Sequence, residues 1–136
     1  MKNILIIGGT SGVGEAITKK VALHNNVIAT YQNNFKDNTE NIEYREFDVI
    51  KNEPDKLEID GPLDSIIYCP GTINLKPFHR YSEQELIDDF KVNVIGFLKI
   101  LSFFKKNLLQ RENASVTLFS SVAAQKGIPF HTQVAC

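Results

Sequence analysis

The sequence begins with a short apolar run that leads directly into a cluster of glycines. Ile4 to Ile7 are all apolar, and the segment Gly8–Gly14 that follows contains four glycines. A short apolar run bounded in this way predicts a strand covered on both faces of a parallel sheet. Apolar residues then recur at helical spacing until about Asn25–Asn26: Val13, Ala16, Ile17 and Val21. The segment is therefore predicted to be a glycine-rich bend between a strand and a helix.

A bend of this kind is suited to hold a phosphate. Glycines let the main chain approach a pyrophosphate closely, and the free N–H groups at the start of the helix attract its negative charge. A tight strand-to-helix turn without a ligand is the other interpretation. The bend has no Gly-Lys-Ser or Gly-Lys-Thr ending, which ATP-hydrolysing P-loops require. Ser11 has Val13 where a nucleophile elbow requires glycine. We therefore favour dinucleotide binding over ATP or ester hydrolysis.

The rest of the chain alternates between predicted strands and helices. Further strands are predicted at Val27–Ala29, Ile42–Phe47, Ser65–Cys69 and Val116–Phe119. Ser82 and Glu85 form a capping-box pattern that opens a long helix ending at Asn113. Apolar residues recur along it at helical spacing: Leu86, Phe90, Val94, Phe97, Leu98, Leu101 and Phe104. This alternation is typical of an α/β fold with a doubly wound parallel sheet of about five strands. Ligands of such sheets bind beyond the carboxyl ends of the strands.

Length and charge restrict the class of protein. A chain of 136 residues suffices for one domain, residues 1–136. The 15 basic and 16 acidic residues nearly balance, so the chain has no excess of positive charge that would favour binding to nucleic acid or an anionic membrane. Cys69 and Cys136 match neither a disulfide framework nor a metal-ligand spacing, so we expect a cytoplasmic protein without a metal site. The apolar run at the amino terminus is too short to span a membrane.

Several motifs in order resemble the short-chain dehydrogenase/reductase family. Its nucleotide turn, Thr-Gly-x-x-x-Gly-x-Gly, matches Ile7–Gly14 except for the leading threonine. Asp48-Val49 resembles the pair that holds the adenine, and Tyr68–Gly71 stands where the family commonly has Asn-Asn-Ala-Gly. Val92–Gly96 resembles the helical segment with the proton-relay asparagine, and Ser120-Ser121 resembles the end of the fifth strand. The resemblance implies a Rossmann fold with strand order 3-2-1-4-5.

The resemblance also implies roles for individual residues. Those implied to bind the coenzyme are Gly8, Thr10, Ser11, Gly12, Val13, Gly14, Tyr31, Gln32, Asp48, Val49, Cys69, Pro70 and Gly71. Those implied to be catalytic are Asn93 and Ser121, the latter through a hydrogen bond to the substrate carbonyl. Three of these residues also have an interpretation without a ligand. Asp48 could be a solvated turn residue, Asn93 a helix-surface amide and Ser121 a strand-end cap. Cys69 is interpreted as a small apolar side chain rather than a reactive thiol.

The second strand bears on the choice of coenzyme. NAD-binding Rossmann domains carry Asp or Glu at the end of this strand, where this chain has Tyr31-Gln32. A 2′-phosphate would meet no carboxylate there, although only Lys36 is near enough in sequence to attract it. The sequence therefore favours NADP over NAD.

The family's active site also needs a tyrosine thirteen residues after the serine and a lysine four residues later. Counting from Ser121 gives Val134, and the lysine position lies past Cys136. The resemblance thus predicts an NAD(P)-dependent oxidoreductase acting on a carbonyl or secondary alcohol, truncated before the Tyr-Lys segment and catalytically impaired. The alternatives are a non-catalytic dinucleotide-binding module or regulatory fragment, and a structural remnant that binds nothing.

The last predicted strand should form an open apolar edge of the sheet. Val116, Leu118 and Phe119 would be uncovered there, which favours marginal stability and pairing with a second copy or a partner chain. For the same reason residues 122–136 are expected to be poorly ordered. The expected substrate is a small molecule.

Overall fold

The computed structural model describes residues 1–135, and Cys136 lies outside the described residues. Its centre is one parallel sheet with the order β3-β2-β1-β4-β5. The strands are β1 (Asn3–Ile7), β2 (Asn26–Tyr31), β3 (Ile42–Glu46), β4 (Ser65–Tyr68) and β5 (Ser115–Leu118). The predicted fold class and strand order are confirmed.

Helices connect the strands on both faces of the sheet. They are α1 (Gly12–Val21), α2 (Glu83–Phe90), a π-helical turn (Lys91–Ile95), α3 (Gly96–Leu108) and α4 (Thr132–Ala135). Short 3-10 turns occupy Pro54–Leu57, Phe78–Arg80 and Val122–Ala124. None of the helices in residues 1–135 is both long and apolar enough to cross a bilayer.

The two faces of the sheet bury separate apolar clusters because successive side chains of a strand point to opposite faces. Leu5 and Ile7 of β1 belong to the cluster that contains Ile100, Phe104 and Leu108 of α3. Ile4 and Ile6 belong to the other cluster, against which Ile17 and Val21 of α1 pack. The buried run at the start of the chain therefore anchors both layers.

The helix boundaries and faces differ from the sequence expectation. α1 ends at Val21 rather than near Asn26, and Val13 is 60% exposed instead of lying on the buried face. The predicted long helix contains the π-helical turn and ends at Leu108 rather than Asn113. Its buried positions are Gly96, Ile100, Phe104 and Leu108. Several predicted face residues of this helix are exposed: Leu86, Phe90 and Leu98. The apolar residues do recur at helical spacing, but the sheet covers only the part of this pattern that lies in α3.

The fifth strand forms the predicted open edge. β5 pairs only with β4, and Val116, Leu118 and Phe119 are 40%, 52% and 52% exposed. Beyond it the described chain continues through a 3-10 turn and α4. Poor order of residues 122–136 and self-association of the edge stay predictions.

Candidate functional site

A groove of about 680 Å³ lies at the carboxyl ends of β1, β2, β3 and β4; we call it the carboxyl-edge groove. All thirteen residues that the sequence assigned to coenzyme binding line it: Gly8, Thr10, Ser11, Gly12, Val13, Gly14, Tyr31, Gln32, Asp48, Val49, Cys69, Pro70 and Gly71. They come from four strand ends that are distant in sequence and meet because parallel strands share one carboxyl edge. The exposure of Val13 is explained by this position on the groove wall.

The glycine bend owes its shape to contacts with the neighbouring strand and helix. Gly8 has φ of +75°, and its N–H donates to Thr30 Oγ1 at 2.9 Å. The N–H of Gly9 donates to the carbonyl of Thr30 at 2.8 Å. A Cβ on Gly14 would lie 2.1 Å from the Gly8 carbonyl oxygen. The bend can close onto α1 only with glycine at this position.

The start of α1 faces the groove with main-chain donors. Ser11 is the N-cap residue, in extended conformation, and within residues 1–135 its side chain makes no capping hydrogen bond. Gly12 has φ of +52°, and a Cβ added there would meet no described atom within 4 Å. The first N–H groups of a helix have no partner inside the helix and attract anions. The geometry therefore suits a phosphate group against this end of α1.

Asp48 is a fixed anion on the opposite wall. Its Oδ1 accepts the N–H of Ile50 at 2.8 Å and of Lys51 at 3.2 Å, and its Oδ2 accepts Gln32 Nε2 at 2.8 Å. Burial alone would raise the pKa of Asp48, but these hydrogen bonds together with the Lys51 charge hold the pKa below its ordinary value. Two predicted binding residues, Gln32 and Asp48, are thus linked directly.

Lys36, the cation considered for a 2′-phosphate, is bound to the first helix. Its Nζ lies 2.5 Å from Glu15 Oε1, and Lys19 Nζ lies 2.7 Å from the same oxygen. Hydrogen bonds from Lys19 and Lys36 lower the pKa of Glu15 to about 2. The three side chains together carry one net positive charge.

Tyr68 at the end of β4 and Cys69 directly after it carry groups that remain protonated near neutral pH. The Tyr68 hydroxyl donates to the Val92 carbonyl at 2.5 Å, and burial raises the pKa of Tyr68 well above its ordinary value. Burial also raises the pKa of Cys69 to about 11. Cys69 is therefore a thiol near neutral pH, in agreement with an unreactive side chain.

The two predicted catalytic residues do not line the carboxyl-edge groove as the structure describes it. Asn93 is close to it, because its Oδ1 would lie 3.6 Å from a Cβ on Gly71. The Ser121 Oγ accepts the Ala123 N–H at 3.1 Å and caps the turn after β5. This is the capping role that the sequence left open, and a catalytic role for either residue stays a prediction.

Sequence reasoning missed three polar residues near Asn93. Thr72 lines the groove, Asp89 bonds Asn93, and Gln133 is buried. Thr72 was detectable because it directly follows Gly71 at the end of β4. Asp89 and Asn93 are four residues apart on a helix, a spacing at which side chains meet. Gln133 gave no signal, because nothing in the sequence indicates that its segment folds back.

Comparison with known proteins agrees with this geometry. A family model described as short chain dehydrogenase matches residues 2–133. An uncharacterized oxidoreductase of Saccharomyces cerevisiae is 26% identical over 132 residues, covering 89% of this chain and 43% of the yeast protein. The chain thus spans less than half the length of that curated relative.

Solved structures share the fold at low identity. Serine dehydrogenase from Escherichia coli superposes with a TM-score of 0.85 at 20% identity, covering 98% of this chain and 68% of that one. A structure described as ElxO with NADP bound superposes with a TM-score of 0.83 at 18% identity, covering 99% and 62%. At such identities the likeness shows the fold alone.

Proposed function

The chain belongs to the short chain dehydrogenase family, and we propose that it binds NADP or NAD in the carboxyl-edge groove and acts as an oxidoreductase on a carbonyl or secondary alcohol. The observation that carries this proposal is the convergence of all thirteen predicted coenzyme residues on one groove. The bound coenzyme would supply or accept a hydride. The chain's own residues bind and orient it.

The diphosphate is proposed to lie against the start of α1. There Gly12 leaves the main chain uncovered, and Gly14 lets the bend approach the helix. Ser11, at the N-cap, offers a hydroxyl that the helix does not use. Helix N-termini of this kind carry a partial positive charge and bind phosphate without a basic side chain.

The adenosine end is proposed to lie between Tyr31-Gln32 and Asp48-Val49. We favour NADP, because no carboxylate stands at the end of β2 and the cluster of Glu15, Lys19 and Lys36 has a net positive charge. The hydrogen bond from Gln32 to Asp48 would hold that wall in place for either coenzyme.

A binding module without turnover is the second candidate. Val134 stands where the family's tyrosine would exchange a proton, and valine has no ionisable proton. Asn93 and Ser121 remain candidates for positioning a carbonyl, since each carries a neutral hydrogen-bonding group. Coenzyme binding separates both candidates from a remnant that binds nothing, and alcohol or carbonyl turnover separates them from each other.

The sharpest test changes charge at the phosphate cradle without harming the fold. Asp and Asn are both good N-cap residues, so Ser11→Asp and Ser11→Asn should both keep α1 intact. Ser11→Asp places a negative charge beside the proposed diphosphate, and we expect NADPH to bind roughly tenfold or more weakly, a change of about 1.4 kcal/mol. Ser11→Asn is the matched control and should bind NADPH much as the parent chain does.

Fluorescence titration with NADPH and NADH measures both variants, and thermal unfolding confirms that they fold. Equal NADPH affinities of Ser11→Asp and Ser11→Asn would remove the diphosphate from this end of α1. No binding of either coenzyme to the parent chain would contradict the proposed function as a whole.

A further inference from the structure

Three polar side chains form a closed hydrogen-bonded group at one end of the carboxyl-edge groove. Thr72 lines the groove, and its hydroxyl donates to Asp89 Oδ1. Asn93 Nδ2 donates to the same Asp89 oxygen at 2.8 Å and to Thr72 Oγ1 at 3.3 Å. Of the three, Thr72 is the one on the groove wall. It therefore connects a ligand in the groove to a carboxyl group behind it.

Asp89 is covered from a separate segment of the chain. Gln133 of α4 is 7% exposed, and its side chain lies beside Asp89. Burial raises the pKa of Asp89, although the hydrogen bond from Asn93 and the neighbouring Gln133 amide act in the opposite direction. The side chains that face it from the neighbouring elements, Thr72, Asn93 and Gln133, are all uncharged.

Two of the other three acidic side chains on α2 bond groups other than Asp89, and the third, Glu83, is exposed. Glu85, one turn before Asp89, is bound by Lys76 at 2.5 Å. Asp88 accepts Gln84 Nε2 at 2.8 Å and Lys91 Nζ at 3.2 Å. Asp89 is thus set apart from its acidic neighbours: it accepts from neutral groups and is connected to the groove.

Oxidation of an alcohol needs a group that takes the hydroxyl proton, and the usual tyrosine position holds Val134. The nearby Tyr68 hydroxyl is committed to the Val92 carbonyl. The Cys69 thiol, with its pKa raised to about 11, is a poor base near neutral pH. The Thr72–Asp89 pair combines a hydroxyl on the groove wall with a carboxylate that accepts its proton.

We propose that Thr72 and Asp89 relay the hydroxyl proton of a secondary alcohol that binds in the carboxyl-edge groove, an inference that rests on the proposed function. The alcohol C–H bond breaks, and its hydrogen leaves with both electrons to the oxidised coenzyme as the C=O bond forms. The hydroxyl proton passes to Thr72 Oγ1 while the Thr72 proton passes to Asp89 Oδ1. Asp89 then releases this proton to solvent, and Asn93 positions the pair.

The test uses oxidation of cyclohexanol and 1-phenylethanol with NADP⁺ and NAD⁺ as a function of pH. A general base contributes roughly 100-fold or more, so Asp89→Asn and Thr72→Val should each lower the rate by about that factor. In the parent chain the rate should rise as the pH passes upward through the pKa of Asp89. Asp89→Asn should abolish this rise, and Thr72→Ser should retain both rate and pH profile.

Two matched controls accompany these variants. Asp88→Asn removes the adjacent carboxylate, which bonds only exposed partners, and should keep the parent profile. His131→Asn removes an imidazole that lies one turn before Val134 and whose Nδ1 is 2.7 Å from the Pro129 carbonyl oxygen. Coenzyme titration and thermal unfolding of each sample show whether a lost rate reflects lost binding or lost folding.

A parent rate and pH profile retained in Asp89→Asn, or lost in His131→Asn instead, would overturn the relay but leave the proposed function standing. A parent chain that binds coenzyme but oxidises neither alcohol also overturns the relay and selects the binding module. A chain that binds no coenzyme overturns both proposals.

Discussion

The carboxyl ends of β1, β2 and β4 and the outer edge of β5 belong to one sheet but differ in how their polar groups are satisfied. At the carboxyl ends, main-chain donors find partners on neighbouring strands, such as Gly8 with Thr30. Along β5, the outer side of the strand has no neighbouring strand in the described sheet. One region forms a groove, which we propose binds a small ligand, and the other presents unpaired main chain, as edge strands do.

Two residues that are paired across β4 and β5 differ in the same way in how far their side chains are buried. Ile66 of β4 lies beside Val116 of β5. Ile66 is 0% exposed and Val116 is 40% exposed. β4 is thus buried along its whole length, whereas β5, one strand later, is exposed. Stability should therefore depend strongly on β4 and weakly on β5.

The largest expected effect comes from truncating that register pair. Ile66→Ala removes a fully buried side chain and should lower the free energy of unfolding by about 2–5 kcal/mol. Val116→Ala is the matched variant and should cost about 1 kcal/mol or less, because much of its side chain is already in water. Urea unfolding measures both, at protein concentrations low enough for the chain to be monomeric. Equal losses would mean that β5 is covered in solution.

An intermediate effect is expected from adding charge to the open edge. Leu118 is 52% exposed, and we expect the parent chain to self-associate through β5. Leu118→Lys should shift the chain towards monomer by roughly tenfold in dissociation constant, since edge lysines oppose strand pairing. Sedimentation velocity over a concentration series gives the result. Leu23→Lys, on another exposed apolar residue, is the control. A parent chain that stays monomeric would contradict the expectation.

The smallest effect concerns the pH dependence of stability that Asp48 contributes at the carboxyl-edge groove. Its pKa is lowered in the folded chain, so its stabilising contribution is present above its unfolded pKa of about 3.9 and is lost as the pH falls through the folded value. Asp48→Asn should therefore be less stable than the parent at pH 7 and closer to it near pH 2. Thermal unfolding at both values measures this. A stability difference that does not shrink on acidification would mean that the ionised form of Asp48 is not favoured by folding.

The residues that line the carboxyl-edge groove could be predicted from sequence because their signals are local. A glycine bend can be recognised in a sequence because it requires glycine at particular positions. At Gly14, for example, an added Cβ would lie 2.1 Å from the Gly8 carbonyl oxygen. The family resemblance pointed to Asp48 and Gly71, and both directly follow predicted strands, whose carboxyl ends meet at one edge. The spacing of apolar residues likewise predicted the order of strands and helices along the chain.

Contacts between distant segments were not predictable in the same way. The apolar period from Leu86 to Phe104 did not reveal which part of the helix the sheet would cover. Gln133 reaches Asp89 through a fold-back of the tail that no local pattern encodes. Lys36 was considered for a phosphate, yet its partner Glu15 is distant in sequence and became evident only in three dimensions.

The most direct measurement of the central claim is a map of backbone amide chemical shifts during titration with NADP⁺. We predict that the largest changes fall on Gly8–Gly14, Gln32, Asp48-Val49 and Gly71. A second groove, of about 590 Å³, lies at the amino ends of the strands and is lined in part by residues 38–43 and 58–63. Changes concentrated there, with the glycine bend unaffected, would contradict the account.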